Sequence, residues 1–326
     1  MRKAWLLGIL TAALVALNPV APAAHAANGV TVAVLDTGID AAHAAFAGAG
    51  PIGFKDFVNN RSTAYDDNGH GTIVSSMIVG SGTTPASLAS GTTLAVGKVL
   101  DSSGSGGSDA FVAGIHWAVD TVHADIINMS LGSYIPGTSV LDTAVYDALA
   151  YARAHNVLVV VANGNGLANL GAAPSLGWAH SFGNSADVLS VGASGVDGLL
   201  VNTDPDVAAV FTVTGAAANT GSGYVTESGT SFGSPYTAGY AARLLSASRT
   251  GGHPLTASGL ETLVEYTARD TVMPPVQEGY GVIDAAQLPA ALNYAASGTL
   301  PPAPGTVNAT YTGRVVPLLR TVGRTL

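Results

Sequence analysis

Short apolar runs and longer stretches of helical character take turns along this chain. Val30–Leu35, Leu94–Leu100, Asp125–Met129, Val157–Val161 and Val188–Val191 are brief and apolar, which predicts strands. Gly71–Val79, Ala110–Val122, Val140–Ala154, Ser231–Ser246 and the shorter Leu260–Ala268 read as helices. Strands alternating with helices imply a parallel sheet, because each crossover lays its helix on one face. The expected fold is an α/β three-layer sandwich with a mostly parallel central sheet and helices on both faces. No internal repeat is evident.

Composition narrows the setting. At 326 residues with 48% hydrophobic content, the chain can bury a large single core, and 41 glycines with only 10% charged residues indicate a loop-rich α/β protein. Mean hydropathy is +0.37, partly because of the first segment. Met1–Ala26 carries Arg2 and Lys3, the apolar run Ala4–Ala16 and then Ala24-His25-Ala26, the order of a secretory signal peptide. Its apolar run is too short for an ordinary membrane span. The expected product is secreted, extracellular or periplasmic, without stable membrane association. Without Arg2 and Lys3, 10 basic residues face 21 acidic ones, a charge of −11, and no basic run suggests a nucleic-acid surface.

Zero cysteines exclude disulfides, a thiol nucleophile and cysteine-ligated metals. At the other end, Pro301-Pro302-Ala303-Pro304 has the signature of a linker. The organisation read from these features is a signal peptide at 1–26, one catalytic domain at 27–295, and a Pro-rich linker and tail at 296–326.

The candidate chemistry lies in three distant segments: Val32–Asp40 (VAVLDTGID), Asn68–Thr72 (NGHGT) and Gly229–Pro235 (GTSFGSP). A serine hydroxyl is a poor nucleophile unless a histidine takes its proton, and that histidine needs a third group to fix its tautomer. Asp36, His70 and Ser231 supply these types. Asp36 falls at the carboxyl end of a strand, where open α/β sheets place their sites. His70 and Ser231 each stand at the start of a helical stretch, where free backbone N–H groups and the positive end of the helix dipole favour developing negative charge. An oxyanion also needs donors. The Ser231 N–H is one, and Val157–Gly166 (VLVVVANGNG) offers two amides, Asn163 and Asn165, between which the residues alone do not choose.

With these segments in view, the chain resembles the subtilases, the subtilisin-like serine peptidases, whose order is Asp, His, Ser and whose motifs read D-[ST]-G, H-G-T and G-T-S-x-[AG]-x-P. The resemblance covers about residues 28 to 295. It implies a subtilisin-like fold, with Asn165 as the oxyanion asparagine and Asn163 near the wall of the specificity pocket, beside the loop 167–178. It also implies that Gly104-Ser105-Gly106 and Ser130-Leu131-Gly132 flank a peptide bound as an added β-strand. No cofactor is required for such chemistry. Many subtilases bind structural calcium, but Ala45 stands where an aspartate is common, and Asp66-Asp67-Asn68 reads as a polar turn, so no metal ligands are identified here.

Three departures accompany the likeness. Only a few residues separate the expected signal cleavage point from Asp36, which leaves no room for the prosegment most exported subtilases carry. Phe232 and Gly233 follow Ser231 where methionine and alanine are common, and Ile73 replaces a second histidine after His70. The reading is a serine endopeptidase acting on polypeptides. The alternatives are a catalytically silent peptide-binding protein, and an esterase or peptide ligase on the same scaffold.

Overall fold

A computed structural model describes residues 29–50, 52–132, 143–165, 182–194, 205–271 and 278–303. The expectations for Met1–Ala26, the loop 167–178 and the tail beyond 303 lie outside the described residues. A seven-stranded sheet runs through the centre, built from β1 (Thr31–Asp36), β2 (Ile52–Asp56), β3 (Thr93–Lys98), β4 (Ile126–Met129), β5 (Leu158–Ala162), β6 (Val188–Ala193) and β7 (Val207–Ala209). Its order is β2-β3-β1-β4-β5-β6-β7, and every neighbouring pair is parallel. Two further strands, β8 (Thr212–Ala216) and β9 (Tyr224–Ser228), form a separate antiparallel hairpin. The helices are α1 (His70–Val79), α2 (Ser108–Asp120), α3 (Thr143–Ala154), α4 (Thr230–Thr250), α5 (Ala257–Thr267) and α6 (Leu288–Ser297).

Both faces of the sheet are buried, which explains why the central strands are apolar throughout. Along β1, Val32 and Val34 belong to one core and Ala33 and Leu35 to the other. In β5, Leu158 and Val160 join the first core while Val159 and Val161 join the second. The first core packs against α1, α4, α5 and α6, and the second against α2 and α3. Each fully buried valine or leucine contributes on the order of 1.5–3 kcal/mol, so the two cores together clamp the sheet and fix the positions of its strand ends.

β1 is the switch point of this topology. The chain moves from β1 to β2 and β3 on one side, then crosses back to β4 and continues to β7 on the other. Loops leaving the carboxyl ends of β1, β3, β4 and β5 therefore diverge around one crevice, where doubly wound sheets place their ligands. The sequence expectations for β1, β3, β4, β5 and β6 hold to within two residues at each end. α4 begins at Thr230 and runs four residues beyond the expected Ser246, ending at Thr250. β2, β7 and the β8–β9 hairpin have no counterpart in the sequence reading.

Candidate active site

Asp36 ends β1 with its side chain fully buried. His70 is the first residue of α1, and its Nδ1–H donates to Asp36 Oδ1 at 2.8 Å. That bond leaves Nε2 as an acceptor facing away from the carboxylate. The Thr37 N–H also donates to Oδ1 at 2.7 Å, while Oδ2 is buried without a partner among the described residues. The close approach of α1 to the strand end depends on Gly71, because a methyl group there would lie 2.3 Å from the Gly38 carbonyl oxygen.

The imidazole is about one-quarter exposed, at 27%. Burial opposes its charged form, but the field of Asp36, the Asp36 hydrogen bond, and the more distant Asp66 and Glu227 outweigh that and raise the His70 pKa above its ordinary value.

Asp66, four residues before His70, holds this arrangement together and is itself buried. Its Oδ1 accepts from the Thr37 hydroxyl at 2.9 Å and the Gly69 N–H at 2.8 Å, and its Oδ2 from the Thr72 N–H at 2.9 Å and hydroxyl at 2.6 Å. Thr37 Oγ1 in turn accepts from the Gly71 N–H at 2.8 Å. One carboxylate thus caps α1 and ties it to the residue after Asp36. The polar turn expected at Asp66-Asp67-Asn68 is present, with this further purpose. The sequence signal for it is an aspartate just ahead of a helix whose first turn lacks any other acidic residue.

Lys98, at the end of β3 and paired in register with Asp36, is also fully buried. Its ammonium donates to the carbonyls of Thr37 at 2.7 Å and Leu100 at 2.8 Å and to Asp67 Oδ1 at 2.6 Å. All three protons of the ammonium therefore have acceptors, and two loops beside the crevice are pinned together. Reading the sequence for chemistry missed this residue, because a single lysine ending an apolar strand carries no distinctive pattern.

Ser231 is the second residue of α4, so its N–H has no partner within the helix. Its hydroxyl donates to the Ser130 carbonyl at 3.3 Å, a long contact. The Phe232 ring lies 5.6 Å from the His70 ring, which brings the start of α4 beside the start of α1. Of the two candidate amides, Asn165 lies against this turn. Its Oδ1 accepts from the Thr230 N–H at 2.9 Å and hydroxyl at 3.1 Å, and the Gly164 N–H donates to Thr230 Oγ1 at 3.1 Å. With both bonds made to Oδ1, Nδ2 has no acceptor among the described residues. Asn163 is buried, its backbone bonded to Val191 and its amide packed beside Gly183.

A cleft of about 550 Å³ opens beside His70. Gly104, Ser105, Gly106, Ser130, Leu131 and Gly132 all line it, and Leu100, Phe111 and Phe182 supply apolar surface. The loop carrying the first three is internally braced. Asp101 Oδ1 accepts from the Ser103 hydroxyl at 2.6 Å and the N–H groups of Ser103 and Ser105 at 2.8 and 3.1 Å, and the Ser103 hydroxyl holds this carboxyl below the ordinary aspartate range. Gly106 has an internal reason to be glycine, since a methyl group there would lie 2.3 Å from the Val99 carbonyl oxygen. Among the described residues no group of three His, Asp or Glu is placed to hold a metal ion, and no helix is long and apolar enough to cross a membrane.

Known proteins share both this sequence pattern and this architecture. The profile of the Subtilase family matches residues 27–282. Subtilisin DY from Bacillus licheniformis is 36% identical over 229 residues, covering 67% of this chain and 77% of that protein. Alkaline serine exoprotease A from Vibrio alginolyticus is 34% identical over 232 residues, covering 67% of this chain but 39% of that longer protein. The solved structure of a mutant of the protease domain of PatA superposes with a TM-score of 0.67 at 25% identity, covering 81% of this chain and 95% of that one. A parallel sheet switching direction at β1, a buried Asp36–His70 pair at that switch and a profile match over most of the length agree, and the chain belongs to the subtilase family.

Proposed function

We propose that this protein is a secreted serine endopeptidase that hydrolyses peptide bonds through an acyl-enzyme on Ser231. The observation that carries the reading is the 2.8 Å bond from His70 Nδ1 to buried Asp36, with His70 lining a cleft whose Ser130 carbonyl accepts from the Ser231 hydroxyl.

In the reaction, the Ser231 hydroxyl oxygen attacks the scissile carbonyl while His70 Nε2 takes its proton. Asp36 stabilises the imidazolium formed. Negative charge develops on the substrate oxygen, where the Ser231 N–H and the free Nδ2 of Asn165 donate to it. His70 then returns the proton to the departing amine, the carbon–nitrogen bond breaks, and the acyl-enzyme remains. Water, deprotonated by His70, releases the acid by the same route. The loops at Gly104–Gly106 and Ser130–Gly132 offer backbone groups to an extended peptide on either side of the cleft. The Ser231 hydroxyl is held by the Ser130 carbonyl here, and catalytic contacts are commonly loose before substrate binds.

That outward hydroxyl is also what a silent peptide-binding relative would show. Fluorophosphonate labelling separates the two readings. The endopeptidase reading expects an adduct on Ser231 and casein hydrolysis that Ser231→Ala abolishes. Well-folded protein without either result would refute it.

A further inference from the structure

Asn128 breaks the rule that shapes the rest of the central strands. It lies within β4 with its side chain fully buried. Its partners in register are Val34 on β1 and Val160 on β5, both fully buried in the first core. Ile126, two residues earlier on the same face, belongs to that core as well. An amide in such surroundings is costly unless its donor and its acceptor are both used.

Both are used. Asn128 Oδ1 accepts from the Ser234 hydroxyl at 2.8 Å, and Asn128 Nδ2 donates to the Ser130 hydroxyl oxygen at 3.0 Å. Ser234 is fully buried on α4, about one helical turn beyond Ser231. Ser130 follows the end of β4, and its carbonyl accepts from the Ser231 hydroxyl at 3.3 Å. These contacts close a ring: from Ser231 to Ser130, through Asn128 to Ser234, and back along one turn of α4 to Ser231.

The ring joins two parts whose separation matters for chemistry. One is the start of α4, which carries Ser231. The other is the edge Ser130–Gly132 on the wall of the cleft. Apolar packing could hold the two together, but it is non-directional, whereas hydrogen bonds fix distance and angle. A valine or leucine at 128 would satisfy the core. Asparagine adds a strut of defined length between helix and edge, and a satisfied buried network of this kind specifies one arrangement.

We propose that Asn128 is a positioning residue that, through Ser234 and Ser130, sets where Ser231 stands relative to a peptide lying along the Ser130–Gly132 edge. This rests on the serine-peptidase reading and deepens it. Asn128 is buried behind the cleft and absent from its lining, so it acts through alignment alone. A misplacement of about 1 Å in such a site can cost on the order of 10²-fold in rate.

The test compares two variants with the unmodified protein. Ser234→Ala leaves Asn128 Oδ1 without its donor in the interior and should melt at a lower temperature. Asn128→Leu combined with Ser234→Ala replaces the strut with apolar groups of similar shape, and the Ser130 hydroxyl at the cleft wall can turn to water. Its melting temperature should lie above that of Ser234→Ala. One probe is an internally quenched peptide long enough to lie along Ser130–Gly132, and the other is a small fluorophosphonate without a peptide backbone. In both variants kcat for the peptide should fall about ten- to hundredfold with KM little changed, while the rate of fluorophosphonate labelling at Ser231 stays near that of the unmodified protein. Peptide cleavage and labelling falling together would mean that the ring serves the fold or Ser231 itself, and would overturn the proposal. So would an unchanged kcat, or a loss confined to KM, in the double variant. If the unmodified protein neither cleaves the peptide nor takes the adduct, the peptidase reading fails and this inference with it.

Discussion

Replacing Asp66 with alanine should damage both the stability and the chemistry of this protein, by amounts its hydrogen bonds allow one to work out. The carboxylate accepts five hydrogen bonds, two from Thr72 and one each from Thr37, Gly69 and Asn68, the last of which is exposed and can turn to water. Gly69 is only half-buried and water can replace its partner. Thr37 and Thr72 are buried, at 1% and 0% exposure, so three donors lose their acceptor in the interior. Each such donor costs about 1–3 kcal/mol. Hydroxyl rotation and a water in the vacated space recover part of that, which leaves about 3–5 kcal/mol. For a protein of this size each kcal/mol moves the melting temperature by about 2–4 °C, so Asp66→Ala should melt about 10 °C lower. Urea unfolding should show a lower midpoint with the slope unchanged. Asp66→Asn keeps the volume but turns an amide donor toward other donors, and should recover less than half the loss. Because Asp66 also helps raise the His70 pKa, the acid limb of kcat/KM in Asp66→Asn should move to lower pH. A melting temperature within 2 °C of the unmodified protein for Asp66→Ala would refute the view that this carboxylate organises the α1 entrance.

Other consequences are more easily stated. If Asn165 donates to the oxyanion as proposed, Asn165→Ala should lower kcat by about 10²- to 10³-fold with little change in KM, measured on one chromogenic peptide. The acid limb of kcat/KM should lie above the ordinary histidine value of 6.5, since neutral His70 is the active form and its pKa is raised; Glu227→Gln should shift that limb downward. The stability linked to His70 has the opposite sense: it is present below the unfolded-state pKa and lost as pH rises through the folded one. Gly233→Ala should cost about 1–2 kcal/mol in chemical unfolding, because its methyl would sit 3.1 Å from the Val210 oxygen and 3.2 Å from the Gly192 oxygen. Peroxide should not inactivate the protein through the residue after Ser231, because Phe232 places no thioether there; inactivation tracking oxidation at that position by mass spectrometry would contradict this.

How much of this was legible in the chain follows from where the signal lies. β1, β3, β4, β5 and β6 are buried on both faces, so their residue choice is dictated by the core and shows plainly as apolar runs. β9 is mostly exposed and built of Tyr, Val, Thr, Glu and Ser, and β2 has a glycine and a lysine among five residues. Nothing in such segments demands a strand until a neighbour supplies one. Asp36, His70 and Ser231 stand out in the sequence because the chemistry proposed for them restricts the residues beside them. The resemblance alone prefers Asn165 to Asn163, and the contacts of Asn165 Oδ1 with Thr230 exist only after folding. Asp66 and Lys98 act by collecting backbone and hydroxyl groups from remote segments, an arrangement that exists only after folding.

The two cores described above divide the labour of this molecule in a way that bears on its diversification. His70 and Ser231 ride on α1 and α4, which pack on one face of the sheet, whereas Leu100, Phe111, Leu131 and Phe182, which form the apolar surface of the cleft, belong to the core on the other face. On the proposed function, proton chemistry and peptide preference would be anchored in separate hydrophobic compartments with the sheet as a partition between them. If that function holds, repacking beneath α2 and α3 would reshape what the cleft accepts while α1 and α4 stay in register, so what is cut could change separately from how it is cut.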